Sequence, residues 1–177
     1  MAKLILFVWA VILLTSCATH RRSPMDIDRD KAEVVASLVR FWQAYERRDL
    51  ATMSEMLTTS SDFTFFGSDA AEVVRTRRDW EELMRNDWQL FETTKFGEPR
   101  NVAIQISDDG RLASAVYEVP DISFVEGNSI ESLDRFAITM RKESETWRIV
   151  LGMTAVATQG ESTSEIVIRK RMKAPKK

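Results

Sequence analysis

Apolar residues recur at helical spacing through the first half of the chain. Val34, Leu38, Phe41, Trp42 and Tyr45 are three or four residues apart, which places them on one face of a helix. With Asp28 or Asp30 as its cap, this helix is predicted to run to about Arg48. Asp49 then caps a short second helix with Leu50, Met53, Met56 and Leu57 inward. Thr58-Thr59-Ser60-Ser61 is a break. Residues 62–67 have strand composition, Ser68-Asp69 reads as a turn, and Glu72 to Arg77 as a short return strand. Asp79 is the expected cap of a third helix whose apolar stripe is Trp80, Leu83, Met84, Trp88 and Phe91.

Beyond residue 100 the period falls to two. Val102, Ile104 and Ile106 alternate with Ala103 and Gln105. Asp109-Gly110 marks a hairpin turn, and Leu112 to Val119 answers as the next strand. Pro120 cannot donate to a ladder, so that strand is expected to bend or end there. Glu126-Gly127-Asn128 is a loop. Leu133 to Arg141 and Trp147 to Ala157 form the last hairpin around Ser144-Glu145. Helices first and strands afterwards imply an α+β fold with the helices on one face of an antiparallel sheet.

The N-terminus follows another logic. Lys3 precedes an unbroken apolar run from Leu4 to Leu14. A membrane span needs roughly 20 apolar residues, so this run fits a secretory leader instead. Leu14-Thr15-Ser16-Cys17 then looks like a bacterial lipobox, and Cys17 is the only cysteine. The expectation is a signal peptide over residues 1–16 and a diacylglycerol on Cys17. A tether over 17–29 and a domain over 30–158 follow, then a basic tail over 159–177. Ala18 in place of an acidic residue favours the outer membrane, with the domain facing the periplasm.

Composition narrows the function classes. The 177 residues carry 25 basic and 27 acidic side chains, so the chain as a whole is no basic nucleic-acid binder. A single cysteine excludes an internal disulfide framework and a Cys-rich zinc site. The single histidine, His20, falls in the tether, where a solvated linker role is preferred to metal binding. No metal-ligand spacing, phosphate loop or nucleophile elbow occurs, so no metal and no cofactor is expected. The basic tail, from Arg169 to Lys177, reads as a solvated terminus or a contact for anionic lipid rather than for nucleic acid.

Three stretches resemble the nuclear transport factor 2-like superfamily, and within it the SnoaL-like group. They are Phe41-Trp42-Gln43-Ala44-Tyr45 with Arg48-Asp49-Leu50; Phe65-Phe66-Gly67-Ser68-Asp69-Ala70-Ala71-Glu72 leading to Asp79-Trp80; and Trp147-Arg148-Ile149-Val150. The resemblance spans about residues 30–158. It implies a cone: a strongly curved sheet whose mouth is closed by helices around a pocket. Many relatives form homodimers through the sheet. Some are isomerases or dehydratases, and others bind ligands or proteins without chemistry. Relatives often place a His or polar group soon after the final-strand Trp, where this chain reads Leu151-Gly152-Met153-Thr154.

Isomerase-like chemistry needs a carboxylate base and a donor for an enolate oxygen. Tyr45 and Tyr117 are candidate donors; Asp69, Glu118, Asp121 and Asp134 are candidate bases. Asp134 stands out because strand parity puts it on the face of Phe136, Ile138 and Met140, where lost hydration raises a carboxyl pKa. It can equally sit solvated at the rim or pair with a neighbour such as Arg135. Asp69 fits a turn residue bonding its own backbone, and Glu72 a surface charge. Trp42, Tyr45, Phe63, Phe65, Trp80, Met84, Trp88 and Tyr117 are candidate pocket walls or plain core. With no histidine in the body and no matched acid/base motif, a non-catalytic binding module for a small apolar ligand or a protein partner is favoured. The alternatives are an enzyme using Asp134 or Asp69 as base, and a homodimeric assembly module.

Overall fold

A computed structural model describes residues 22–157. The leader, Cys17, His20 and the tail from 159 lie outside the described residues. Helix α1 spans Pro24–Glu46, α2 Leu50–Glu55 and α3 Arg77–Leu90. The strands are β1 Thr64–Phe66, β2 Val73–Val74, β3 Thr93–Phe96, β4 Arg100–Ile106, β5 Leu112–Val125, β6 Asn128–Glu143 and β7 Thr146–Val156.

Helix α1 begins earlier than Asp28 or Asp30 and takes in Pro24–Arg29, which the sequence pattern assigns to the tether. The signal is local: Ser23 Oγ accepts the Asp26 N–H, and Pro24 sits in the first turn, where its missing donor costs nothing. The predicted inward face holds, because Val34, Leu38, Phe41, Trp42 and Tyr45 are all buried. Asp49 caps α2 as expected, its side chain accepting the Thr52 N–H. In α3 the cap is Thr76, not Asp79. Asp79 instead closes the capping box, its carboxylate taking the Thr76 N–H while Thr76 Oγ1 takes its own.

The sheet has seven strands in the order β2-β1-β7-β6-β5-β3, with β4 also on β5. It is mixed rather than wholly antiparallel, since β1 runs parallel to β7. The two long hairpins turn at Glu126-Gly127 and Ser144-Glu145, four residues with φ between +47° and +74°. Both turns therefore match the right-handed twist of their strands.

Strand β5 does not end at Pro120. It continues to Val125 while its outer partner changes from β4 to β3: Glu118 faces Arg100, and Asp121 faces Phe96. Pro120 falls at the junction. Its carbonyl accepts the Gly97 N–H, so its ring nitrogen points to the same outer side, at the gap between two strands. The missing donor thus removes no regular ladder bond. Strand β3 is absent from the sequence reading because Thr93–Phe96 is too short and polar to show alternation.

The helices lie on the inner face of the sheet, over a core that includes Leu38, Met53, Trp80, Tyr117, Met140 and Ile149. Along the β5–β6 pair this inner face changes character. Ala113 with Met140, Ala115 with Ile138 and Tyr117 with Phe136 are apolar; Val119 with Asp134, Asp121 with Ser132 and Ser123 with Ile130 carry the polar groups. The cone is therefore filled at one end and polar at the other.

Candidate functional site

The polar end holds a cavity of about 510 Å³ between α1, α3 and the inner sheet face. Its volume lies within the range of small-molecule sites, roughly 300–1,000 Å³. Trp42 and Tyr45 reach it from α1, Trp80 and Met84 from α3, and Phe65 from β1. These are five of the eight side chains offered from sequence as pocket walls or plain core. Phe96 and Phe136 complete an aromatic patch with Trp42, each ring centroid 4.6 Å from the indole.

Three proposed wall residues do not line it. Phe63 packs edge-on against Trp80 at 6.0 Å and borders a separate, smaller hollow. Trp88 leans on Tyr45 from outside. Tyr117 lies stacked on Phe136 at 5.3 Å, away from the cavity, and its hydroxyl has no partner among the described residues. Burial holds that phenol far above its ordinary pKa. Helix and strand periodicity sorts inward from outward, but not cavity wall from core, which accounts for all three.

Asp134 and Asp69 both border the cavity. Asp134 makes no pair with Arg135, which turns outward to Glu118 at 2.8 Å. Glu118 also accepts from Asn101 and is remote from the site. Burial, then the charge of Asp121, pushes the Asp134 carboxyl up to about 6. Ser132 bridges the two: its hydroxyl is hydrogen-bonded to Asp121 and lies 3.4 Å from Asp134. A hydroxyl has one proton to give. When Ser132 gives it to Asp121, a protonated Asp134 can donate to the Ser132 oxygen. On the other side of Asp121, Ser123 Oγ donates to it at 3.2 Å, with Thr94 Oγ1 3.0 Å from Ser123. The result is a polar ladder across β3, β5 and β6.

Asp69 is first a turn residue, as its position suggests: Oδ1 accepts the Ala71 N–H at 2.9 Å. Glu72 closes the same turn by accepting the Asp69 N–H at 3.1 Å. Its side chain folds over Gly67, where a Cβ would collide with it. The Gly-x-Asp-x-x-Glu passage is therefore a self-closed turn at the cavity mouth, and Glu72 lines the cavity rather than the outer surface.

The most informative omission is Asp87. It lies one turn beyond Leu83 and Met84, within the apolar stripe of α3, and that placement was the available signal. Tyr45 donates to Asp87 Oδ2 at 3.3 Å. Burial, then Glu72, pushes the Asp87 carboxyl up to about 6. Burial, with the carboxylates of Asp87, Asp121 and Asp134, drives the Tyr45 phenol far above its ordinary value, so it stays a neutral donor. On β7, where the sequence departs from its relatives, Thr154 lines the cavity with Oγ1 unpartnered among the described residues. No three His, Cys, Asp or Glu side chains among the described residues converge to hold a metal.

The family described as SnoaL-like domain matches residues 34–156. Solved structures share the fold at low identity. A nuclear transport factor 2-like superfamily protein from Salmonella enterica is 15% identical over 77% of this chain and 96% of its own, with a TM-score of 0.66. A protein from Streptomyces avermitilis, provisionally assigned as a dehydratase of the same family, is 17% identical over 74% of this chain and 99% of its own, also at 0.66. A nuclear transport factor 2-like protein with a cystatin-like fold from Novosphingobium aromaticivorans is 16% identical over 79% and 88%, with a TM-score of 0.60. The search of curated protein sequences finds no match.

Proposed function

The chain belongs to the SnoaL-like domain family, and from that premise we propose that it is a binding module for a small, largely apolar molecule. The observation that carries this reading is the cavity of about 510 Å³, walled by Trp42, Tyr45, Phe65, Phe96 and Phe136 with a few placed polar groups. The lipobox-like Leu14-Thr15-Ser16-Cys17 supports a lipid anchor, which would place the module in a bacterial envelope. A screen of small aromatic and aliphatic molecules by thermal shift tests the reading. Stabilisation of several degrees by saturating ligand is expected for a ligand that binds only the folded state. A flat response across the whole set contradicts it.

A second reading has its own support. Asp134, whose carboxyl is pushed up to about 6 and which is therefore ionised near neutrality yet more basic than an ordinary carboxylate, is linked through Ser132 to Asp121 and has the properties of a general base for removing a proton beside a carbonyl. Tyr45 is a neutral donor on the same cavity. The provisional assignment of the Streptomyces avermitilis protein as a dehydratase is in keeping with such chemistry. In this reading a carbonyl ligand takes up solvent deuterium in the presence of the protein. Asp134→Asn slows that uptake by about a hundredfold while ligand binding is kept. Uptake that is unchanged in the variant removes Asp134 from the role.

A further inference from the structure

The cavity is acidic in an unusual way. Asp69, Glu72, Asp87, Asp121 and Asp134 line it, and no Lys, Arg or His among the described residues does. None of the five takes part in an ion pair among the described residues. Elsewhere the protein matches acids with bases: Asp30 with Arg22 and Lys142, Glu46 with Lys95, Glu118 with Arg135, Asp62 with Arg141. Exposed unpaired acids are solvated by water, but Asp121 is only 8% exposed and its partners are two neutral hydroxyls. A carboxylate withdrawn from water is costly without a counter-charge.

The other wall supplies a second attraction for positive charge. Trp42, Tyr45, Phe96 and Phe136 form one contiguous aromatic surface, with neighbouring centroids 4.6–5.4 Å apart. Ring faces are the negative end of the aromatic quadrupole and attract cations. The carboxylates are spread around the wall and do not converge as metal ligands, which favours a cation that is large and organic. Two lining indoles, Trp42 and Trp80, are also more than nine-tenths buried with N–H groups unpartnered among the described residues.

We infer that the cavity takes an organic cation: an ammonium group carried on an apolar or aromatic body, with the charge at the carboxylates and the body against the rings. This deepens the ligand-binding reading above and rests on it. The two are separable with three ligands of one shape and different charge. Phenylbutylamine, phenylbutanol and phenylbutyrate are titrated calorimetrically into the full chain at about pH 8, above the raised values of Asp87 and Asp134. The amine is expected to bind at least about tenfold more tightly than the alcohol, and the acid not at all. Asp121→Asn and Asp134→Asn should each weaken the amine severalfold, and the alcohol by much less. Both are near-isosteric, and circular dichroism is the check that they fold. Alcohol or acid binding as tightly as the amine overturns the cation inference and leaves the ligand site standing. Amine binding unmoved by either substitution places the cation elsewhere and also overturns it. No binding of any of the three overturns both readings.

Discussion

Ser132 sits between two carboxyls. Its hydroxyl donates to Asp121 and lies 3.4 Å from Asp134, whose value is raised by burial and by the charge of Asp121 while the Ser132 contact works the other way. The consequence for stability has a definite sign. Asp134 and Asp87 have folded values of about 6, above the ordinary carboxyl value of 3.8. Between those limits the native state binds more protons than the unfolded chain, so their contribution falls as pH rises from about 4 to 6 and then levels off. Asn at either position removes the ionisable group. Denaturant unfolding at about pH 7.5 should show Asp134→Asn and Asp87→Asn each more stable by about 1 kcal/mol, after allowing for solvent screening, and the gain should vanish near pH 4. Asp30 has the opposite sign. It is fully buried on α1; burial alone would raise its pKa, but hydrogen bonds from Arg22 and Lys142 outweigh that and hold it down. Its stabilisation is present above the unfolded value of 3.8 and is lost as pH falls through the depressed folded one. Asp30→Ala leaves two cations around an empty position, and a loss of roughly 3 kcal/mol is expected in the same unfolding experiment.

At the scale of elements, caps and register matter more than composition. Thr76 starts α3 at the angle that brings Trp80, Met84 and Asp87 to the cavity. Thr76→Ala should cost about 1 kcal/mol in thermal or denaturant unfolding, with the inner face otherwise intact. Most element positions could be read in advance because period is local: α1, α2 and the β6–β7 hairpin follow directly from spacing. Asp134 could be placed on the Phe136 face by parity alone. What escaped was set by neighbours distant in sequence. Whether Pro120 ends a strand depends on where β4 stops and β3 begins, and no residue near Pro120 reports that. With β5 expected to bend or end there, Asp121 could be offered as a candidate base but not placed on a face, and Ser123 and the polar ladder went unseen. Asp87 was legible in principle, as a charge inside an apolar stripe. Phe63, Trp88 and Tyr117 have the same pattern as true wall residues and differ only in what packs beyond them.

Over the whole molecule the two sheet faces have separate roles. The inner face makes the core and the cavity. The outer face carries an apolar row across five strands: Ala103, Val116, Ala137, Met153 and Phe66 lie side by side, with Val116 57%, Met153 49% and Phe66 45% exposed. Such a row suits the homodimer expected from the family resemblance. If a dimer forms there, sedimentation should show the native protein as a dimer and Val116→Lys/Met153→Lys as a folded monomer; equal masses argue against that surface. No helix among the described residues is long and apolar enough to cross a membrane; the attachment proposed above is through Cys17. Cys17→Ser, followed by cell fractionation, should move the protein out of the membrane fraction; retention there contradicts the anchor.

The central claim, that the cavity receives a small molecule, is tested most directly by the indole N–H signals of the tryptophans. Trp42 and Trp80 line the cavity, whereas Trp147 donates to Glu33 at 3.1 Å and does not line it. In a nitrogen–proton correlation spectrum, titration with phenylbutylamine should shift Trp42 and Trp80 progressively and leave Trp147 in place. Signals that do not move, or a shift at Trp147 without one at Trp42 and Trp80, would contradict the account.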